Sequence, residues 1–300
     1  MQERTLSALP QVSAKQPNGA PPVHFFYPSE GFGNVYRRSM LNDFFTELIV
    51  RTNIRSVAEV PVECYGIVGA GSLIFTQLGC EITLVSEDQL ALDRAQALMH
   101  FNGVPQVHYL HSPLHNIPVA ADTFDLTWNF DEILTMPDKE TFLQELCRIS
   151  KATFVVVPNA NSYGQLMHHW YHKFTGTTCM HAGPRPWMHP EPIANALKNA
   201  GMDIVDVGFI DVPWWPSFPE LPNMVRRMLG RAPVEVTGQG IPEANPDYVR
   251  PADVPAMRRK VERSAFIEHG RWWPRPIRQL FAHNIYVLGC KPAYRHSLGL

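Results

Sequence analysis

Val57-Ala-Glu-Val-Pro-Val-Glu-Cys-Tyr-Gly-Ile-Val-Gly-Ala-Gly-Ser72 reads as a short buried strand, then a glycine loop, then the start of a helix, and the stretches after it repeat that alternation. Gly66, Gly69 and Gly71 let backbone approach a ligand closely, because glycine has no side chain in the way and tolerates positive φ. Ser72 stands where it caps the helix that follows. A glycine loop opening a helix presents unpaired N–H groups to a polar ligand. The spacing is G-x-x-G-x-G, so the dinucleotide fingerprint G-x-G-x-x-G is not met. Taken alone, the loop is equally an ordinary strand-to-helix turn.

Working outward, Val57 to Val60 is expected as the first strand and Ser72 to Leu78 as a helix stopped by Gly79. Glu81 to Val85, Val107 to Leu110, Phe124 to Phe130 and Thr153 to Val157 follow as strands. Helices are expected over Gln89 to Phe101, with Leu90, Ala91, Ala95 and Leu98 inward, and over Lys139 to Ile149. Such alternation implies right-handed crossovers and a parallel sheet covered on both faces, with ligands at the carboxyl ends of its strands. Upstream, Met40, Leu41, Phe44, Phe45, Leu48 and Ile49 form one apolar helical face within Tyr36 to Thr52, a helix for the edge or mouth of the sheet. Downstream, Pro190 to Gly201 resumes as a helix, Asp203 to Asp211 as a sixth strand and Asn284 to Cys290 as a seventh, with a helix from Ala252 to Ile267 between them.

The division that follows is an arm over 1–30, an α/β domain over 31–211 with 283–291, a Pro- and Trp-rich insertion over 212–282, and a tail over 292–300. Composition bounds the rest. Twenty-six basic against 28 acidic residues leave no electrostatic reason to propose a nucleic acid partner. Five scattered cysteines without a C-x-x-C pair argue for reduced thiols and a cytoplasmic location. No run approaches the ~18 apolar residues of a membrane span, and no secretory segment is read at the start.

Three further strings carry a family resemblance: Leu114-His-Asn-Ile-Pro118 followed by Asp122-Thr-Phe-Asp-Leu-Thr-Trp-Asn-Phe130, then Phe142-Leu-Gln-Glu-Leu-Cys-Arg-Ile-Ser-Lys151, then Val155-Val-Val-Pro-Asn159. With the order of elements, they resemble the class I S-adenosylmethionine-dependent methyltransferases, of the small-molecule, type 11-like kind, over about 54–211 and 283–291. The resemblance implies a doubly wound, seven-stranded, mostly parallel Rossmann-like sheet whose last strand is antiparallel. It implies S-adenosylmethionine as cofactor and a small-molecule acceptor. By the same resemblance, cofactor contacts fall to Glu59 with Gly66, Gly69 and Gly71, to Ser86 or Glu87 at the ribose, to Ser112 at the adenine, and to Asn129 with Phe130 near the methyl group. The chain departs from the pattern in three places: Pro61 to Tyr65 lengthen the glycine loop, and Ser86 and Ser112 stand where acids are usual.

Methyl transfer mainly requires acceptor and methyl held in line, so a base is optional. Asp131 and Glu132, just past the fourth strand, stand where a base stands in such a fold, and are equally loop acids or a cap. His181, on the segment after the fifth strand, is the other acid–base candidate. His168, His169 and His172 with Cys179 and His181 contain the i, i+4 pair of a zinc site, but an amphipathic segment explains them better, and no metal is expected. Trp214-Trp215 either roof an acceptor or pack the insertion on the sheet. A non-catalytic scaffold of the same fold and a nicotinamide-dependent oxidoreductase remain as rivals. The acceptor and the oligomeric state are not legible.

Overall fold

Asp88 and Asp138 each accept a backbone N–H from the first turn after them, from Leu90 and Thr141, and so start two helices at the residues the sequence indicates. In the computed structural model, which describes residues 32–62, 67–104, 106–175, 184–213, 226, 254–270 and 273–300, they are α3 (Gln89–Phe101) and α4 (Lys139–Ile149). Before them come α1 (Phe32–Arg51), β1 (Ser56–Glu59), a 3-10 turn (Ala70–Ser72), α2 (Leu73–Gln77) and β2 (Glu81–Ser86). Then follow β3 (Val107–His111), β4 (Phe124–Phe130), β5 (Ser150–Pro158), α5 (Tyr163–Thr175), α6 (Pro190–Asn199) and β6 (Asp203–Ile210). The last described elements are α7 (Val254–Ser264), α8 (Phe266–His269), α9 (Arg275–Phe281), β7 (Asn284–Cys290) and α10 (Pro292–Leu298).

The seven strands form one sheet in the order β3-β2-β1-β4-β5-β7-β6. Neighbours are parallel except at β7, which runs antiparallel to both β5 and β6. This is the fold class expected from the sequence. From β1 the chain winds outward to β3, then returns to β4 on the other side, so the carboxyl ends of β1 and β4 flank the topological switch point where such sheets bind ligands. Because side chains alternate across a strand, Leu126, Trp128 and Phe154 face one side with α1, α2 and α3, while Val85, Val155 and Val287 face the other with α4 and α6.

Three expectations are corrected. Of the edge and the mouth of the sheet, helix α1 takes only the mouth, with its start, and otherwise lies across the sheet face: Phe44 stacks 4.8 Å from Phe154, and Phe45 sits edge-on 5.3 Å from both Trp128 and Phe154. Leu90 is exposed, and the buried stripe of α3 is Ala91, Leu92, Ala95, Leu98 and Met99, the set one 3.6-residue period brings onto a single face. Strand β5 begins at Ser150, directly after α4, where the hydroxyls of Thr127, Ser150 and Thr153 satisfy one another at 3.0–3.1 Å. Among the described residues no helix is long and apolar enough to cross a membrane. The arm over 1–30, most of 214–253, and the candidates Gly66, Cys179, His181, Trp214 and Trp215 lie outside the described residues.

Candidate functional site

The strand that leads into the switch point runs further than its pattern indicates. After β1, Val60 N–H donates to Trp128 O at 3.0 Å and Val62 N–H to Val85 O at 2.8 Å, so Pro61 and Val62 continue alongside the end of β2. This is the structural form of the first part of the lengthened loop. Glu59, at the end of β1, is buried, and Ser72 Oγ donates to its Oε2 at 2.5 Å. Trp128 Nε1–H donates in turn to Ser72 Oγ at 3.3 Å. Glu59 and Ser72 therefore fix the exit of the glycine loop to β4.

The two described glycines of the loop are there for close packing. Gly69 has φ 79° and packs on α3, where an added Cβ would lie 3.0 Å from Ala95 Cβ. At Gly71 an added Cβ would lie 2.6 Å from Trp128 Cη2. The absence of both side chains lets the loop settle onto α3 and Trp128.

Opposite the loop is the start of α1. Asn34, Arg37 and Arg38 of α1 line a cavity of about 30 Å³ with Gly71, Trp128 and Phe130. The Arg37 guanidinium lies 4.7 Å above the Phe130 ring, and its Nη2 donates to Asn34 Oδ1 at 2.9 Å. Arg38 is buried. None of these α1 residues was singled out from the sequence, because a helix upstream of the sheet carries no signal of which end reaches the strand termini.

Beyond β4, Asp131 adopts φ 65°, a left-handed conformation uncommon outside glycine. It is buried, its N–H donates to Val156 O at 2.8 Å, and its Oδ1 bears no hydrogen bond. Burial pushes its carboxyl up to about 6, against the opposing pull of Arg37. Left-handed backbone with an unsatisfied buried oxygen is the kind of local cost that collects at functional sites.

The other candidates are held by protein groups. Asn129 Nδ2 donates to Val60 O at 2.7 Å and its Oδ1 accepts from Ile133 N–H at 3.3 Å. Ser86 Oγ accepts from Asp88 N–H at 2.9 Å, and Ser112 Oγ donates to Pro113 O at 3.1 Å, both side chains buried. Glu87 is exposed at the end of β2, with Oε1 accepting Leu114 N–H at 2.8 Å. Glu132 opens a 3-10 turn, where its Oε2 accepts from Thr135 Oγ1 at 3.3 Å.

Comparison with known proteins bears on the same stretch. Residues 65–155, from the glycine loop into β5, match the family model for a methyltransferase domain. No protein of curated function matches the chain. Among solved structures, a candidate sarcosine dimethylglycine methyltransferase of Galdieria sulphuraria is 14% identical with a TM-score of 0.49, covering 85% of this chain and 84% of that one. A candidate methyltransferase of Bacillus halodurans C-125 is 14% identical with a TM-score of 0.47, over 85% and 99% of the two chains. A SAM-dependent methyltransferase of Aquifex aeolicus is 14% identical with a TM-score of 0.42, over 62% and 94%. Residues 65–155, less than a third of the chain, are thus similar to a methyltransferase domain, and the sheet around them has the seven-stranded, mostly parallel order of a Rossmann-like fold.

Proposed function

We propose that this chain is an S-adenosylmethionine-dependent methyltransferase acting on a small-molecule acceptor. The observation that carries the reading is the match of residues 65–155 to a methyltransferase domain, set on a sheet whose switch point lies beside the glycine loop. Asn34, Arg37 and Arg38, beside a cavity with room for about one water molecule, are the groups we assign to the amino acid half of the cofactor. Two guanidinium groups answer a carboxylate. Exposed Glu87 is the group for the ribose hydroxyls, and Ser112 for the adenine.

When bound, the cofactor supplies an electrophilic methyl carbon on sulfur. The chain's own residues do the rest. Glu59 and Ser72 hold the loop, Arg37 and Arg38 orient the carboxylate, and the aromatic walls exclude water. Asp131 Oδ1 accepts a hydrogen bond, and where needed a proton, from the acceptor's reacting group. A carboxyl titrating at about 6 is ionised at neutral pH and more basic than an ordinary aspartate. Residues 31–211 with 283–291 serve as the catalytic unit, with 212–282 as an insertion before the last strand. Cys80, Cys147 and Cys290 are buried free thiols, which supports a reducing, cytoplasmic setting.

The test is calorimetry with S-adenosylmethionine and S-adenosylhomocysteine. Saturable binding is expected, weakened about tenfold by Arg37→Ala, the scale of one charge-assisted contact. No heat of binding at millimolar cofactor would sink the reading.

A further inference from the structure

Soluble domains leave few large apolar side chains side by side in solvent on one helix face, so such a face calls for a second surface. Helix α5 carries one. Tyr163, Leu166, Met167 and Trp170 recur at i, i+3, i+4 and i+7 and share a face. Tyr163 opens that face against α9, its ring edge-on at 5.2 Å to Phe281. The three side chains that follow are turned to solvent, Leu166 at 38%, Met167 at 40% and Trp170 at 51% exposure. The helix pair is anchored on the sheet. Asn159, just past β5, donates through Nδ2 to Gln279 O at 2.7 Å and to Ala282 O at 2.9 Å, and Ser162 O accepts Leu166 N–H at 3.0 Å.

The charge carried by these two helices and their surroundings has one sign. Lys173, a turn past Trp170, is exposed and holds its ammonium 5.2 Å from the centre of the indole ring. Arg275, at the start of α9, is exposed as well. Neither 159–190, which contains α5, nor 269–300, which contains α9, has an aspartate or glutamate, although the whole chain has 28 acidic residues against 26 basic ones. A second copy of the chain docked on this face would bring cations against cations. An anionic surface with an apolar interior meets both halves of the pattern. A tryptophan and a lysine beside an apolar stripe are the composition of a helix that lies in a headgroup layer, where the indole sits at the boundary and the lysine stem reaches outward.

We propose that the exposed face of α5 docks the protein on an anionic phospholipid surface, with Leu166, Met167 and Trp170 entering the headgroup layer and Lys173 meeting the phosphates. Helix α5 follows β5 and α9 leads into the antiparallel β7, so both stand at the carboxyl end of the sheet, the end at which the switch point lies. Docking therefore sets the bilayer beside the ligand end of the molecule. Three apolar side chains and a sparse set of cations give reversible attachment that weakens with salt. The proposal stands apart from the methyltransferase reading.

The test is cosedimentation of the full-length chain with phosphatidylcholine vesicles made with and without phosphatidylserine. Binding is expected with phosphatidylserine, about tenfold tighter than without it and reduced by added salt. Trp170→Ser is expected to weaken it about tenfold and Lys173→Gln about fivefold. Leu90→Ser, which removes a side chain of similar exposure from α3, is expected to leave it unchanged. All three positions are at the surface, so each variant should keep the parent's urea midpoint, which reports that it is folded. No binding at millimolar lipid, equal binding to the two kinds of vesicle, or equal losses in Trp170→Ser and Leu90→Ser would overturn the proposal. A dimer in sedimentation velocity that Trp170→Ser dissociates, without vesicle binding, would overturn it too and give the face to a second copy.

Discussion

At the scale of single residues, Asp131 is where the molecule gives up stability. Its left-handed backbone, buried carboxyl and unpaired Oδ1 each cost free energy, and none is required by the sheet. The sign follows from its raised titration. The unfolded chain loses this proton near the ordinary aspartate value, the folded chain only near 6. The stability attached to the proton is therefore complete below about pH 4 and is lost as pH rises through 6. Asp131→Asn should stabilise the protein at pH 8 by about 1–3 kcal/mol in urea denaturation, while leaving it unchanged near pH 4. Equal stability of the two proteins at pH 8 would remove the argument that the site is held at a cost. Gly71 is the opposite case, since a methyl group there meets Trp128 at 2.6 Å. Gly71→Ala should cost about 1–3 kcal/mol by overpacking, read as a lower urea midpoint.

At the scale of elements, α8 ties the sheet to the helix that lines the cavity. Glu268 Oε2 accepts Val212 N–H at 2.5 Å and Tyr36 O–H of α1 at 3.4 Å. Burial, then the negative field of Asp211, pushes its carboxyl up to about 8, against Arg278 and its two hydrogen bonds. Folded Glu268 thus keeps its proton across a range where the unfolded chain has lost it, so the stability of the fold falls steadily from about pH 4.5 to 8. The Tm should fall across that range, and Glu268→Gln should flatten the fall by holding the neutral form at every pH. An unchanged slope in the variant would place the titration elsewhere. Elements of this kind divide sharply in how far a sequence reveals them. Helices α3 and α4 and strands β4 and β7 begin and end where pattern and cap residues indicate, because those signals are local. The reach of α1, the run of Val60 to Val62 along β2 and the early start of β5 depend on neighbours distant in sequence. The same division runs through the site. Asp131, Gly69 and Gly71 stand out in the sequence by position and residue type, whereas the placement of Arg37 and Arg38 and the bonds that occupy Asn129 depend on the fold.

At the scale of the whole molecule, one helix joins the core to the candidate site. Phe45 of α1 is fully buried, with ring centroids 4.6 Å from Phe75 and 5.3 Å from Trp128 and Phe154. Two to three turns earlier on the same helix, Asn34, Arg37 and Arg38 line the cavity together with Gly71. An α-helix is stiff over that length, so its seat on the sheet sets where the guanidinium groups lie. Phe45→Ala opens a void between α1 and β4 and should cost about 3–5 kcal/mol. Trp128, which Gly71 also packs on, loses a packing partner, so the loop and the helix both gain freedom. Cofactor affinity should then fall with stability even though Phe45 touches no part of the cavity. Calorimetry and urea denaturation on Phe45→Ala and Phe45→Leu check this together. Phe45→Leu, which refills most of the void, should recover most of both losses, and a variant that loses stability while binding at full strength would separate α1 from the site.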